Sequence, residues 1–314
     1  MALSGSYDFS QNRNSIILDA LQLAGIIDYS EQADVDAEII TSASRVMNRM
    51  FKAWEADGLQ VWKQEHVTLL LEKSKSSYDL GPSGDHWTAS YTETAMRVAG
   101  ASLDTTIECD STTGMSASDY VGVVLDDDTI HWTTVASVTD GDTFELTSAL
   151  TGAAAIDNAI YFYTSKAQRP NRIVECVRRN SSNSDISLFI GSREEYWNLS
   201  DKTSTGTPSQ IFYDQSLTNG KLYVYSVPDD STDSLEMIVS YPFQDMDSST
   251  DNIDFPNYWY EAVIDGLAYR LGLEYRVPRD IRMELKANAI RSKEEAMNYD
   301  VEGVSIFFQP DRRM

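Results

Sequence analysis

The sequence predicts an α+β protein: a helical bundle made from the N- and C-terminal segments, with an inserted β-rich region that includes a small β-sandwich or barrel. Near the start, Val46, Met47, Met50, Phe51 and Trp54 recur at helical spacing and the pattern stops at Gly58. Near the other end, Trp259, Val263, Leu267 and Leu271 repeat every four residues, with Tyr260 and Ile264 widening the stripe. Between them lie short alternating runs separated by turn signals. The implied division is 1–61 with 250–314 for the bundle and a C-terminal tail, 62–80 with 167–249 for a β-rich extension, and 81–166 for an inserted β domain.

In chain order, Ile16, Ile17, Ala20, Leu21 and Ala24 share one face of a first helix over 12–25, closed by Gly25. The second helix starts at Ala33 or Asp34 and ends at Gly58, where the period changes to two. Leu59, Val61, Val67, Leu69 and Leu71 then line one side of an extended segment, so the helix is expected to feed directly into a strand. Strands follow over 121–125, 130–138, 143–146 and 160–164, with Asp140-Gly141 as a tight hairpin. Ile173, Cys176 and Val177 mark another strand, and 186–190 the next. Ser192 with Glu194 and Glu195 starts a short helix carrying Tyr196 and Trp197. Asn219-Gly220 is the clearest hairpin signal, joining 210–215 to 221–227, and 235–241 is the last strand. The acidic, Ser-rich stretch 245–254 reads as a linker into a helix over 256–274. Pro278 opens a final helix whose apolar positions are Ile281, Leu285, Ala289 and Met297.

At 314 residues the chain exceeds the roughly 100–200 residues of one compact domain, so two or three modules are expected. With 49 Asp and Glu against 25 Lys and Arg the formal charge is −24, which argues against wrapping nucleic acid through phosphate contacts. An acidic channel wall that keeps passing DNA from sticking is compatible with it, and plain solubility is the simpler reading. Cys109 and Cys176 are far apart in sequence and read as buried thiols of a reducing compartment. The first residues lack a signal-peptide pattern and no apolar run spans a bilayer, so a soluble protein made and used without export, with no membrane partner, is expected.

Chemical motifs are sparse, and neither a catalytic residue nor a cofactor or metal site is expected. His66, His86 and His131 are isolated, without the spacing that sets two imidazoles on one helix face. No serine lies in a nucleophile elbow, and no glycine-rich loop carries the lysine a phosphate would need. Asp126, Asp127 and Asp128 lack the alternation and distal Glu of a calcium loop and read as a solvated turn. Trp54, Trp62, Trp259, Tyr258 and Tyr260 read as core packing the two chain ends together rather than as a binding surface. The bundle core is thus assigned to Met50, Trp54, Trp259, Val263, Leu267 and Leu271.

Two segments resemble a known family. Residues 47–59, ending in Trp54-Glu55-Ala56-Asp57-Gly58-Leu59, are similar to the signature helix of the head-to-tail adaptor (connector) proteins of tailed bacteriophages, of the short-tailed type. Residues 259–268, leading through Leu271 to the Pro278 helix, are the second match; together they cover about a third of the chain. The resemblance implies a structural, non-enzymatic subunit of a dodecameric ring between portal and tail, extending the DNA channel and docking the tail. It implies as partners further copies of the chain, the portal protein, and tail nozzle or fibre proteins. DNA would pass without sequence-specific binding, in a virion assembled in the bacterial host cytoplasm. Residues 81–166 exceed a minimal adaptor. The apolar, then basic, C-terminal tail supplies candidate portal contacts in Val304, Ile306, Phe307, Phe308, Arg312 and Arg313; folding back onto its own bundle is the equal alternative. Competing readings are a tail-tube or tail-completion protein, and a carbohydrate-binding tail component using Trp87 and Trp132.

Overall fold

The computed structural model describes residues 9–28, 35–58 and 61–299, and the chain divides into two compact units, 1–63 with 242–314 and 64–241. Among the described residues there are five helices: α1 (Arg13–Leu23), α2 (Ala37–Ala56), α3 (Arg193–Trp197), α4 (Tyr260–Glu274) and α5 (Arg279–Tyr299). None of them is long and apolar enough to cross a membrane. The fold is α+β, with α3 the one helix that lies in the second unit.

In the first unit α4 packs against α1, α2 and α5. Asn12 caps α1 by accepting from the Ser15 N–H at 2.9 Å, and Ile16, Ile17, Ala20 and Leu21 are all buried. Asp36 caps α2 through the Glu38 N–H, so that helix begins at Ala37 rather than at Ala33 or Asp34, which lie outside the described residues. Gly25 and Gly58, at φ of +68° and +78°, turn the chain out of α1 and α2.

Four expectations change here. Leu59 lies outside the described residues, and Val61–Lys63 forms a 3-10 turn, not the start of a strand. Trp62 is held among Phe243, Phe255 and Trp259, and Lys63 pairs with Asp254 at 2.6 Å, which keeps these residues with the helices. The expected linker 245–254 is a strap: Met246 and Ile253 are buried, Asp251 O accepts from the Arg13 N–H at 2.7 Å, and Asn48 bonds Met246 in both directions. Asn257–Trp259 is a 3-10 turn ahead of α4 rather than its first turn. On α5, Leu285 is buried as expected, but Ile281 is 40% exposed and the other buried positions are Ser292 and Ala296. The two helices approach closely at Gly272, where an added Cβ would come within 3.3 Å of Leu285 Cδ1, and small side chains continue that face.

The second unit opens with β1 (Gln64–Leu70), β2 (Ser77–Leu80) and β3 (Trp87–Thr88). It then lays down β4 (Thr92–Ala95), β5 (Thr106–Glu108), β6 (Tyr120–Val124), β7 (Ile130–Val138), β8 (Thr143–Leu146) and β9 (Ala159–Tyr163). It returns with β10 (Arg172–Arg179), β11 (Asp185–Ser187), β12 (Phe189–Ile190), β13 (Gln210–Asp214), β14 (Gly220–Tyr225) and β15 (Ser234–Ser240). Sheets ordered β11-β10-β15-β1-β3 and β12-β13-β14-β2 share one core, built on Val67, Leu69, Tyr78, Trp87, Leu222 and Met237. Strands β4 to β9 form an antiparallel sheet ordered β4-β9-β6-β7-β8-β5 with its own core. A bridge between Met96 and Cys109 brings its edge strands together, so it curls into a half-barrel.

Both glycine hairpins differ from expectation. Strands β7 and β8 are joined by 139–142, and β13 and β14 by the longer loop 215–219, and neither Gly141 nor Gly220 has a positive φ. Gly220 is demanded by space: a Cβ there would collide with Tyr213 Oη, which donates to Pro170 O at 2.6 Å. The single strand expected over 186–190 is broken at the buried Leu188, where the chain leaves its partner β10 and pairs in parallel with β13.

Truncating Trp54 to Ala should lower the stability of the first unit by about 3–5 kcal/mol, since the large ring leaves a cavity among other aromatics. Met283→Ala on α5, 63% exposed in the same unit, should stay within about 0.5 kcal/mol. Denaturant unfolding followed by tryptophan fluorescence and helical circular dichroism measures both.

Candidate functional site

The two segments that carry the resemblance meet in one core. Met50, Trp54, Trp259, Val263, Leu267 and Leu271 all belong to a single buried cluster, and four of them are fully excluded from solvent. Trp54 and Trp259 have ring centroids 5.7 Å apart, with Phe255 and Trp62 completing an aromatic nest. Gly266 makes the approach possible, because a Cβ there would sit 3.0 Å from Met50 Sδ and 3.1 Å from Trp54 Cζ2. Lys293 on α5 extends over the Trp54 ring at 5.3 Å and pairs with Asp57 at 2.6 Å, which ties the end of α2 to the last helix.

The outer faces of this unit are chemically uneven. Met283, Ile290 and Tyr299 on α5, and Leu273 on α4, are exposed apolar side chains. Burial, and then the neighbouring Arg49, hold Arg270 below the ordinary guanidinium range. The expected portal contacts Val304, Ile306, Phe307, Phe308, Arg312 and Arg313 lie outside the described residues.

Of the two tryptophans named in the competing glycan reading, one is enclosed and the other half-buried. Trp87 is fully buried, and Trp132 stacks on the His86 ring at 3.8 Å and 3°, over Gly122, where any Cβ would collide with it. His86 Nδ1 and Tyr163 Oη are hydrogen-bonded at 2.6 Å. Burial, and then Lys166, hold the imidazole down to about 3. His66 lies 2.8 Å from the buried Glu236 carboxylate, and His131 is buried beside Ser148 and Thr151. Cys109 and Cys176 are buried free thiols, the latter pushed up to about 12 by burial. Asp126 accepts from Ala155 and Asn158, Asp127 from Thr129, and Asp128 pairs with Lys73, so the acidic triplet is an internally satisfied turn. Among the described residues no group of three or more His, Cys, Asp or Glu side chains is placed to hold a metal ion.

Sequence reasoning missed a cleft of about 510 Å³ whose lining includes Tyr91, Glu93, Tyr161, Arg179, Ser231 and Asp233. Glu93 lines it with its carboxyl raised by burial, and the buried Ser231 hydroxyl has no hydrogen-bond partner among the described residues. These side chains come from strands and loops remote in sequence, so no local spacing announces them. His86, Trp132 and Tyr163 escape a motif search for the same reason.

A histidine depressed in the folded state but ordinary, near 6.5, when unfolded contributes stability that is complete above about pH 6.5 and lost as pH falls toward about 3. His86→Phe should therefore flatten the acid-side fall of the second unit's thermal midpoint while leaving the plateau near pH 8 close to wild type. Melting curves of both proteins across pH 4–8 check this; parallel curves would show that His86 does not contribute. Compared with known proteins, the chain matches no family model and no curated sequence.

Proposed function

We propose that this chain is a structural subunit of a head-to-tail adaptor ring in a tailed bacteriophage, lying between portal and tail. The observation that carries the reading is the contact of the two resembling segments: 47–58 and 259–268, remote in sequence, form one core in which Gly266 receives Met50 and Trp54. A resemblance spread over unconnected surface segments would carry little. One concentrated in a single buried core supports a common architecture as well as a local sequence likeness.

In this role the protein works by geometry. Copies joined by repeated heterologous contacts close a ring, dodecameric by the resemblance, and many modest interfaces acting together hold the joint. The ring extends the DNA channel, and a charge of −24 lets the duplex pass without retention. The half-barrel module offers the surface for a tail nozzle or fibre protein, and residues 304–314 are assigned to portal binding. Assembly takes place in the bacterial host cytoplasm and the product resides in the virion. No reaction, cofactor or membrane is needed.

Native mass spectrometry of the purified chain with and without the portal ring of its virus tests the reading. The expected result is a portal carrying a fixed multiple of this subunit, with the free chain small. Rings or tubes formed without portal would replace it with a tail-tube or tail-completion role, and absence of any assembly would overturn it. Deleting residues 304–314 is expected to abolish portal attachment while leaving the melting curve unchanged; portal binding by the folded truncation would remove that segment from the interface.

A further inference from the structure

Two faces of the helical unit carry opposite net charge. One is a groove of about 580 Å³ lined by residues of α1, α4 and α5, among them Asp19, Glu261, Asp265 and Arg291, with Leu23 and Ile264 as its apolar part. Asp265 decides its character. It is only 6% exposed and makes no hydrogen bond or ion pair among the described residues, yet it lines the groove. Its carboxylate is thus unpaired and reaches solvent only through the groove, so a cation entering there meets a partly desolvated, unanswered charge. Among the described residues Asp19 accepts only from the Gln11 amide, Glu261 has no partner, and Arg291 makes a loose pair with Glu295 at 3.9 Å.

The other face joins α2 to α4. Arg45 and Arg49 are exposed, four residues apart on one side of α2, and line a shallow groove with Glu274 of α4; Arg270 of α4 is held below its ordinary range by burial and then by Arg49. Among the described residues none of the three makes an ion pair, in a chain with nearly twice as many acids as bases. Glu274 shares this face but accepts a hydrogen bond from Ser42 instead. Like charges at this spacing repel, so the arrangement is unfavourable unless an anionic surface covers it.

The two faces lie on opposite sides of one helix. From Glu261 to Arg270 is nine residues, a rotation of about 180°, and from Asp265 to Arg270 five, or about 140°. Complementary surfaces on opposite sides of a rigid element make a heterologous, head-to-tail contact and cannot pair by a twofold.

We propose that the acidic groove of one copy, with Asp265 at its floor, receives the arginine face (Arg45, Arg49, Arg270) of the next copy, and that this contact joins neighbouring subunits of the ring. The inference rests on the adaptor reading and names the surfaces by which copies meet. Arg49 or Arg45 supplies the guanidinium that Asp265 lacks, while Leu23 and Ile264 contribute apolar area beside it. Charge steering between copies makes the association salt-sensitive.

The test uses the full-length chain on the portal ring, with subunits counted by native mass spectrometry. One variant carries Arg45→Glu and Arg49→Glu, the other Asp19→Lys and Glu261→Lys; all four are surface or half-buried positions, and melting curves verify folding. Each variant alone is expected to associate about ten-fold or more weakly than wild type, and raising salt should mimic the loss. An equimolar mixture restores assembly, because each altered face then meets its complement in alternating copies. If both variants assemble like wild type, or the mixture restores nothing, the contact is wrong while the adaptor reading stands. If wild type itself forms no ring on the portal, the adaptor reading fails and this contact falls with it.

Discussion

The close approach of α4 to α2 at Gly266 is the constraint on which the first unit depends. A Cβ at that position would stand tighter than an ordinary contact against Met50 Sδ and Trp54 Cζ2, and Trp54 packs in turn on Phe255 and Trp259 beside Trp62. Because α4 is also the helix against which α1 and α5 lie, its position determines where the whole helical core closes. Two stretches of chain separated by the entire β-rich region are thereby held as one folding unit. The loop-closure entropy of so long an excursion grows only slowly with length, so a single well-packed core can offset it.

Polar groups finish what the aromatic nest begins. The strap between β15 and the 3-10 turn at Asn257 carries no regular structure, yet its carbonyls accept from Arg13, Lys52 and Asn48, and its N–H groups are received by Glu55 and Asn48. An irregular backbone stays docked at the points where its side chains are buried, Phe243, Met246 and Ile253, when its nearby donors and acceptors are answered in this way. The acidic and serine-rich composition of 245–254 resembles that of a free linker, and the difference lies in partners supplied from α1 and α2.

The second unit solves a different problem, that of holding a half-barrel to a sandwich within one body. It does so with stacked rings: His86, from the loop before β3, lies flat on Trp132 of β7 and bonds Tyr163 of β9. The stack needs Gly122 on the neighbouring strand, since only a bare Cα leaves room for the indole. A neutral imidazole suits this half-buried place better than a charged one, which is why burial and Lys166 both push it toward the neutral form.

Much of the architecture was legible in the sequence. Periodicity and stop signals located α1, α2, α4 and α5 and most strands of the half-barrel to within a few residues, because amphipathic spacing and capping chemistry are local. The six residues assigned to the helical core were readable for the same reason. What the sequence could not settle was set by contacts between remote segments: that Val61–Lys63 turns with the helices, that the apparent linker is a strap, that Ile281 faces outward while Ser292 and Ala296 face in, and that Gly220 serves space rather than a turn. The charged faces belong to the same class, since Asp19 and Asp265, or Arg49 and Arg270, come together only when α1, α2 and α4 pack. Sequence alone therefore determined which elements form, through local hydrogen bonding and the period of apolar residues. Tertiary structure decided which faces meet and which charges are left uncompensated, because burial and electrostatic pairing depend on distances that local spacing does not contain.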